Sequence, residues 1–313
     1  MAVLGRVVAF GECMLELQGP PFGTLRQGYG GDTLNTAVYL ARCGAAAGLQ
    51  VDYATALGDD PFSTGLLQRW QAEGLGTGLV RQLPGRLPGM YFIEVDEHGE
   101  RRFHYWREQA AARAYFDTDD GATALEQRSG EIDALYLSGI SLAILPPAGR
   151  ARLAALAQAL RARGAAVVFD NNYRPRLWPD VATAQEAFAQ FTALASTLLM
   201  TLEDEQALWA LPDAGAALQR TLALPCAELV IKRGAADTLV RMTGSAPIAV
   251  PTLRVARVVD TTAAGDSFAG AYLATRLAGG SAEAAAAAGN RLAGTVVQHH
   301  GALIPLEAMP APV

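Results

Sequence analysis

The chain has 313 residues, of which 51% are hydrophobic and 18% are charged, enough for one large α/β domain with an accessory piece or for two smaller domains. The formal net charge is −6, whereas a nucleic-acid-binding protein normally has an excess of basic residues, so we do not expect this class of protein. Cys13, Cys43 and Cys226 have no paired spacing, so we expect neither disulfides nor a zinc cluster, and a cytoplasmic setting. The apolar run at 1–11 is too short for a signal peptide, and no run reaches the roughly 18 uncharged residues of a membrane span.

Short β-rich runs alternate along the chain with longer alanine- and leucine-rich runs. This alternation predicts a parallel sheet covered by helices on both faces. The predicted strands are 6–12, 51–58, 134–139, 165–172, 197–201 and 228–234. The predicted helices are 35–44, 60–74, 147–164, 180–195, 203–211, 264–278 and 281–298.

Two segments break the alternation. Residues 13–31 follow the first strand with turn residues and no helix, and residues 88–108 contain two aromatic and β-branched arms around the turn 96–99. The two segments can pair into a small sheet outside the main layer, which would be a lid that excludes water from a reacting group. The alternative is a surface hairpin without a moving role.

The segment "VVDTTAAGDSFAGAYLA" (258–274) leads from an apolar, strand-like run through small residues into a buried helix. Such a turn leaves backbone N–H groups unpaired at the positive end of a helix and therefore favours an anion. A carboxylate at this position, Asp266, repels an anion but can take a proton from an incoming hydroxyl. The alternative is an acidic residue that merely suits the first turn of a helix.

Within that segment, "DTTAAGDSFAGAYL" (260–273) resembles the C-terminal signature of the ribokinase-like (PfkB) carbohydrate kinases. The resemblance extends over the whole chain and implies one ribokinase-like α/β domain, 1–313, with a mainly parallel sheet and a small β-sheet lid. It implies that Asp266 is the catalytic base and that the backbone amides of Ala263, Ala264 and Gly265 form an anion hole. A second stretch, "GYGGDTLNTAVYLAR" (28–42), resembles the family's sugar-binding signature. That resemblance implies contacts to sugar hydroxyls from Gly30, Gly31, Asp32 and Asn35.

The hairpin segment and "FDNNYRPRLWPD" (169–180) resemble the 2-keto-3-deoxygluconate kinases of this family more than its fructokinases or ribokinases. A sugar acid carries a carboxylate, which suits the planar fork of arginine. The resemblance implies substrate contacts from Tyr91, Tyr105, Arg107 and Arg174. For Arg107 the alternative is a solvated charge on the hairpin.

The resemblance also implies ATP as the nucleotide. "VIKRGAADTLV" (230–240) is similar to the strand and turn that lie beside the nucleotide in the family. The implied contacts are Lys232, Gly234, Ala235 and Gly265, with Asn290 on the adenine side. The alternative for Lys232 is a lysine that simply ends a strand.

The sequence departs from the family where an Asn-x-x-Glu motif handles Mg²⁺. Here "TLEDEQALW" (201–209) places Glu203 and Gln206 where the Asn and Glu would fall. Glu203, Asp204 and Glu205 are candidates to order a hydrated Mg²⁺, which keeps several waters and few protein ligands. The solvated first turn of a helix explains these acids equally well. The metal ligands therefore stay open, although MgATP is the expected phosphoryl donor.

The leading hypothesis is an ATP-dependent kinase acting on the C6 hydroxyl of 2-keto-3-deoxy-D-gluconate. The alternatives are another PfkB sugar kinase, such as a fructokinase, and a non-catalytic sugar-acid sensor. A sensor would have no use for a base at Asp266. We expect no nucleic-acid or membrane partner, and the apolar lid strands favour a homodimer formed through the lid.

Overall fold

The computed structural model describes residues 5–95, 101–118 and 121–311. In this part of the chain, thirteen strands form two separate sheets. The strands are β1 (Arg6–Phe10), β2 (Met14–Gln18), β3 (Arg26–Gly30), β4 (Gln50–Leu57), β5 (Val80–Gln82), β6 (Gly89–Val95), β7 (Arg101–Trp106), β8 (Ala134–Ser138), β9 (Ala166–Asp170), β10 (Thr197–Thr201), β11 (Glu228–Arg233), β12 (Ala236–Met242) and β13 (Ile248–Val250). The α-helices are α1 (Asp32–Gly44), α2 (Pro61–Ala72), α3 (Ala124–Gln127), α4 (Gly139–Ile144), α5 (Pro147–Ala162), α6 (Val181–Leu194), α7 (Leu202–Leu208), α8 (Ala214–Leu222), α9 (Ala264–Leu277) and α10 (Ala282–Val296).

The larger sheet has the order β13-β12-β11-β10-β9-β8-β1-β4-β5. The strands from β11 to β5 run parallel, whereas β12 and β13 are antiparallel to their neighbours. The predicted α/β class and mainly parallel sheet are therefore confirmed. None of the helices in the described residues is both apolar enough and long enough to span a bilayer.

Helices pack on both faces of this sheet and produce two main cores. Along β1, Val8 and Phe10 belong to one core, and Val7 and Ala9 belong to the other. The first core also contains buried residues of α5 and α6, and the second contains those of α1, α9 and α10. Because both faces are buried, the central strands β8, β9 and β10 are mostly apolar except at their ends.

Three features of the larger sheet and its surroundings differ from the sequence predictions. Helix α1 begins at Asp32 rather than at 35. The hairpin β11–β12 turns at Gly234, whose φ of 60° suits glycine, and it adds the two antiparallel edge strands. The apolar run at 258–260 was expected to be strand-like, but it has no regular secondary structure.

The smaller sheet has the order β3-β2-β6-β7 and forms the lid. It joins the two segments that broke the alternation, since β2 pairs with β3 antiparallel and with β6 parallel. The predicted hairpin is confirmed by the antiparallel pairing of β6 with β7, and its predicted turn at 96–99 lies outside the described residues. One face of the lid turns toward the larger sheet, and a cavity of about 820 Å³ lies between Glu16, Tyr91 and Phe103 of the lid and the loop 258–262.

Helices α1 and α9 pack against each other at very short range. A Cβ atom on Gly270 would lie 2.6 Å from Cβ of Tyr39 and 2.9 Å from the backbone N of Leu40. Only glycine permits this approach, because real Cβ atoms do not come so close to other heavy atoms. The contact fixes the N-terminus of α9 beside the N-terminus of α1.

Candidate active site

The cleft lies at the carboxyl ends of the parallel strands, where open α/β sheets bind ligands. Polar residues follow or end each of the strands that border it. These are Glu12 after β1, Ser138 at the end of β8, Asp170 and Asn172 at β9, Asp204 after β10 and Lys232 near the end of β11. The N-termini of α1 and α9 close the cleft from the side.

Asp266 lies in the first turn of α9, half-buried in the cleft. Its Oδ2 accepts a hydrogen bond of 2.9 Å from Nδ2 of Asn35, and its backbone carbonyl accepts one from Thr36. Burial, followed by the negative charge of Asp32, raises the pKa of Asp266 to about 7, and the bond from Asn35 opposes the shift. A carboxyl group with this pKa can exchange a proton near neutral pH, as a general base requires.

The first turn of α1 supplies the polar groups opposite Asp266. Asp32 accepts hydrogen bonds from Ser138 Oγ (2.5 Å) and from Asn172 Nδ2 (2.6 Å), and burial raises its pKa. Asn172 has a φ of 26°, a left-handed conformation that asparagine tolerates better than most residues. The Oδ1 atom of Asn35 is buried and has no hydrogen-bond partner within the described residues, so it can accept a bond from a ligand hydroxyl.

Two glycines let the lid and α1 meet at this point. A Cβ atom on Gly31 would lie 2.1 Å from the carbonyl oxygen of Glu12, and one on Gly30 would lie 3.3 Å from the hydroxyl of Tyr91. The sequence implied direct sugar contacts from both glycines. In the structure, the lack of a side chain lets the backbone of Gly30 lie close to Tyr91 of the lid and that of Gly31 lie close to the β1–β2 loop.

The lid covers the cleft with tyrosines. The hydroxyl of Tyr91 donates to Glu16 Oε2 (2.6 Å), and its pKa is raised by burial first and by the charge of Glu16 second. The ring of Tyr105 lies 5.8 Å from that of Tyr91, and Tyr105 is 45% exposed. Both predicted tyrosines therefore occupy the face of the lid that is turned toward the cleft.

Arg107 is not the solvated hairpin charge of the alternative interpretation. Its side chain is 8% exposed and forms an ion pair with Glu12, which is 1% exposed. The guanidinium also lies 5.8 Å from the ring centroid of Tyr105. Within the described residues, Nε of Arg107 and Oε1 of Glu12 lack partners, so this buried pair has a free donor and a free acceptor.

Arg174 is located at the other side of the cleft. Its Nη1 donates to the carbonyl of Tyr173 (2.8 Å) and to Oδ1 of Asp204 (3.2 Å), and its side chain is 53% exposed. Arg107 and Arg174 are thus both held by carboxylates, but Arg174 is the more accessible of the two.

A cavity of about 440 Å³ adjoins the N-terminus of α9. All five residues expected beside the nucleotide line this cavity, namely Lys232, Gly234, Ala235, Gly265 and Asn290. The apolar side chains that line it include Leu253, Val255, Val258, Phe268 and Val297. The structure thus brings together every residue assigned to the nucleotide.

Asn290, expected on the adenine side, also holds neighbouring elements together. Its Oδ1 accepts from Thr238 Oγ1 (2.8 Å), and its Nδ2 donates to the carbonyls of Val250 and Pro251. The amide therefore ties α10 to β12 and to the end of β13, and both of its N–H donors are used within the protein.

The predicted anion hole lies where the cavity meets Asp266. Ala263 caps α9 in the left-handed region, with a φ of 59°. The N–H of Ala264 donates to the carbonyl of Thr261 (3.2 Å), which differs from the expectation that it is free. The N–H groups of Ala263 and Gly265 have no protein acceptor in the part of the chain that is described, so they are available to bind an anion.

The three acids after β10 differ in their surroundings. Asp204 pairs with Arg174, and Glu205 is buried against Arg220. Glu203 is exposed in the first turn of α7 and lines neither cavity. Asp204 accepts from the N–H of Tyr173 as well as from Arg174, and burial raises its pKa while Arg174 and Lys232 oppose the shift. Among the described residues, no three His, Cys, Asp or Glu side chains cluster closely enough to hold a metal ion.

Sequence reasoning missed Glu12 and Asp170, and it named Asp204 only as a possible Mg²⁺ ligand and not as a partner of Arg174. Each is a buried or half-buried acid that pairs with a predicted cation: Glu12 with Arg107, Asp170 with Lys232, and Asp204 with Arg174. The signal available was their position, because each ends or closely follows a predicted strand. Their partners are distant in sequence, so the pairings could not be read from spacing.

The sequence profile of the pfkB family carbohydrate kinases matches residues 5–309. A 2-dehydro-3-deoxygluconokinase of Dickeya dadantii (strain 3937) is 48% identical over 307 residues, which cover 97% of this chain and 98% of that protein. One of Escherichia coli (strain K12) is 46% identical over 308 residues, or 98% and 99% of the two chains. Among solved structures, a protein described as ribokinase II from E. coli, in complex with ATP and Mg²⁺, matches with a TM-score of 0.81. At 21% identity and coverage of 98% and 96%, that likeness is one of fold.

Proposed function

Because this chain belongs to the pfkB family of carbohydrate kinases, we propose that it transfers the γ-phosphoryl group of ATP to the C6 hydroxyl of 2-dehydro-3-deoxy-D-gluconate (2-keto-3-deoxy-D-gluconate). The products would be ADP and 2-keto-3-deoxy-6-phosphogluconate. The observation that carries the proposal is the near-full-length similarity to two 2-dehydro-3-deoxygluconokinases. The arrangement of the cleft supports it.

In this reaction Asp266 takes the proton of the attacking hydroxyl. The free N–H groups of Ala263 and Gly265 stabilise negative charge on the transferring phosphoryl group, aided by the positive end of α9. Asn35 holds the carboxylate of Asp266 from one side and offers Oδ1 to a sugar hydroxyl. Asp32 borders the same space, where it can accept from another hydroxyl.

The acid end of the substrate requires a cation, and two are placed for it. Arg107 lies beneath Tyr105 with Nε unpaired, and Arg174 is half-exposed at the far side of the cleft. A guanidinium has five N–H donors, so each arginine can keep its protein carboxylate and still bind a substrate carboxylate.

The nucleotide would occupy the 440 Å³ cavity, with its base against Leu253, Val255 and Val297 and its phosphates toward Gly265. Mg²⁺ fits this site as a cation held chiefly by phosphate oxygens and water, because no three His, Cys, Asp or Glu side chains among the described residues cluster as ligands. When bound, Mg²⁺ neutralises negative charge on the phosphates.

A coupled assay of ADP release tests this function. Purified protein is given MgATP with 2-keto-3-deoxygluconate, its galacto epimer, fructose or ribose. We expect the highest kcat/KM with one of the two sugar acids and phosphorylation at C6 by NMR. A preference for fructose or ribose would show a different sugar kinase, and binding of the sugar acid without ADP release would show a sensor.

The reaction should depend on the ionisation of Asp266. Since the pKa of Asp266 is raised to about 7 and a base must be ionised, kcat/KM should fall tenfold per pH unit below about pH 7 and level off above it. Initial rates between pH 5 and 9, with excess coupling enzymes at each pH, measure this. A rate that stays constant down to pH 5 would contradict the assignment of Asp266 as the base.

A homodimer formed through the lid is also proposed. Trp106 of β7 is 56% exposed and lies on the face of the lid opposite to Tyr91 and Tyr105, so it is available to a second copy of the chain. Light scattering of the wild type should give a mass twice that of one chain, which is 32.9 kDa. The mass of the Trp106→Glu variant should equal that of one chain. A monomeric wild-type protein would refute the dimer.

We place the reaction in the cytoplasm, which supplies ATP and keeps thiols reduced, in keeping with the three free cysteines.

A further inference from the structure

The ammonium group of Lys232 lies against the anion-binding loop. Its Nζ donates to Oδ2 of Asp170 at 2.7 Å, and a Cβ atom on Gly265 would lie 3.6 Å from it. The two paired side chains are 12% and 5% exposed. Lys232 is thus more than a lysine at the end of a strand, because its charge is directed into the interior of the cleft.

This position lies between the nucleotide cavity and the base. Lys232 and Gly265 both line the cavity, and Asp266 is the next residue in the chain. The neighbouring cation in sequence, Arg233, donates Nε to the carbonyl of Asp237. In the described residues, Lys232 is therefore the cation placed where the phosphates of a bound nucleotide would meet Asp266.

We propose that the ammonium of Lys232 contacts the transferring phosphoryl group and that Asp170 is a positioning residue that holds the ammonium there. The inference rests on the proposed kinase function and adds two residues to its machinery. In the step, the bond between phosphorus and the bridging oxygen of ADP breaks while the sugar oxygen bonds to phosphorus. The hydroxyl proton passes to Asp266, and Lys232 stays protonated throughout.

A lysine at this point needs a partner that fixes it. Its ammonium is a compact charge on a flexible four-carbon stem, so it has no preferred orientation of its own. Asp170 is rigid by comparison, since it ends β9 and its backbone pairs within the sheet. The ion pair gives the ammonium one location and leaves two of its three N–H donors for a phosphate.

The same pair influences the ionisation of Asp266. The charged and titratable groups around Asp266 are Asp32 and Tyr39 of α1, Tyr136 of β8, Asp170 of β9 and Lys232 of β11. Lys232 favours the ionised carboxylate, whereas Asp170 and Asp32 oppose it. Removal of Lys232 and removal of Asp170 should therefore shift the pH dependence of the reaction in opposite directions.

The experiment compares Lys232→Met, Asp170→Asn and the double variant with the wild type, using the sugar that the wild type phosphorylates best. We expect Lys232→Met to lower kcat by at least about 10²-fold, as for loss of one preorganised donor, with the KM for the sugar within about threefold. In this variant, the fall of kcat/KM at acidic pH should begin at a higher pH than in the wild type. Asp170→Asn should lower kcat by about tenfold and move this fall to lower pH, because the ammonium is less well held and one negative charge is gone.

The double variant separates a catalytic from a structural role. It removes both charges, so it leaves no unpaired buried carboxylate and remains informative if Lys232→Met fails to fold. Its kcat should stay at least about 10²-fold low. Recovery of wild-type kcat in the double variant, or pH shifts in the same direction for both single variants, would overturn the inference. If the wild type phosphorylates a neutral sugar and no sugar acid, the proposed substrate fails while this inference is still tested.

Discussion

Asp266→Asn should lower kcat by at least about 10²-fold and leave the affinity for ATP and for the sugar acid nearly unchanged. Asparagine keeps the size of the side chain and its contact with Asn35, but it cannot take the proton of the attacking hydroxyl. Steady-state kinetics with calorimetric binding of each substrate measures the two effects separately. A turnover within a few-fold of wild type would show that Asp266 is not the base.

Stability provides the control for that variant. Burial raises the pKa of Asp266 above its value in the unfolded chain, so the folded state loses relative stability as the pH rises through about 7. At pH 8 Asp266→Asn should therefore be at least as stable as the wild type. Asp213→Asn is a matched control, because Asp213 caps α8 on the surface and asparagine caps helices equally well. It should leave both turnover and stability unchanged.

Arg107→Met should lower both the free energy of unfolding and the affinity for the sugar acid. It leaves Glu12 buried without its partner, which costs about 3–5 kcal/mol of unfolding free energy. It also removes a cation proposed for the substrate carboxylate, so the affinity for the sugar acid should fall much more than that for ATP. Chemical denaturation and calorimetric titration measure the two losses.

A double variant, Glu12→Gln with Arg107→Met, distinguishes the two roles of Arg107. It removes both buried charges, so most of the lost stability should return. The affinity for the sugar acid should stay low, because the cation is still absent. Arg102→Met is the control on the same strand, since Arg102 is exposed and should affect neither property. Wild-type affinity in the double variant would show that Arg107 serves the fold alone.

The fold could be predicted in large part because its central strands are apolar and its helices are amphipathic. The boundaries of β10 were predicted to the residue, and α9 and α10 to within about two residues. The strands β12 and β13 were missed, since they are partly exposed segments of mixed polarity at one end of the sheet. Such segments take their structure from a neighbouring strand rather than from their own pattern.

The candidate site was predicted where a local motif carries it. Asp266, Asn35 and the glycines lie in two short signatures, and the structure brings both signatures to one cleft. The partners of the cations could not be predicted, because Glu12 and Arg107 are 95 residues apart and Asp170 and Lys232 are 62 residues apart. Asp204 could not be distinguished from its neighbours Glu203 and Glu205, since a pattern of adjacent acids does not reveal which of them faces inward.

The order of the elements along the chain divides the cleft between its two ligands. The lid strands and α1 fall within residues 14–106, whereas the residues that line the nucleotide cavity fall within 201–297. Apart from Arg174 and Asp266, the residues proposed to contact the sugar are therefore encoded in a separate stretch from those proposed to contact the nucleotide. A chimera in which the first third of the chain is replaced by that of a related kinase should shift toward the sugar of that kinase while its nucleotide is unchanged, provided that the glycine contact between α1 and α9 is preserved.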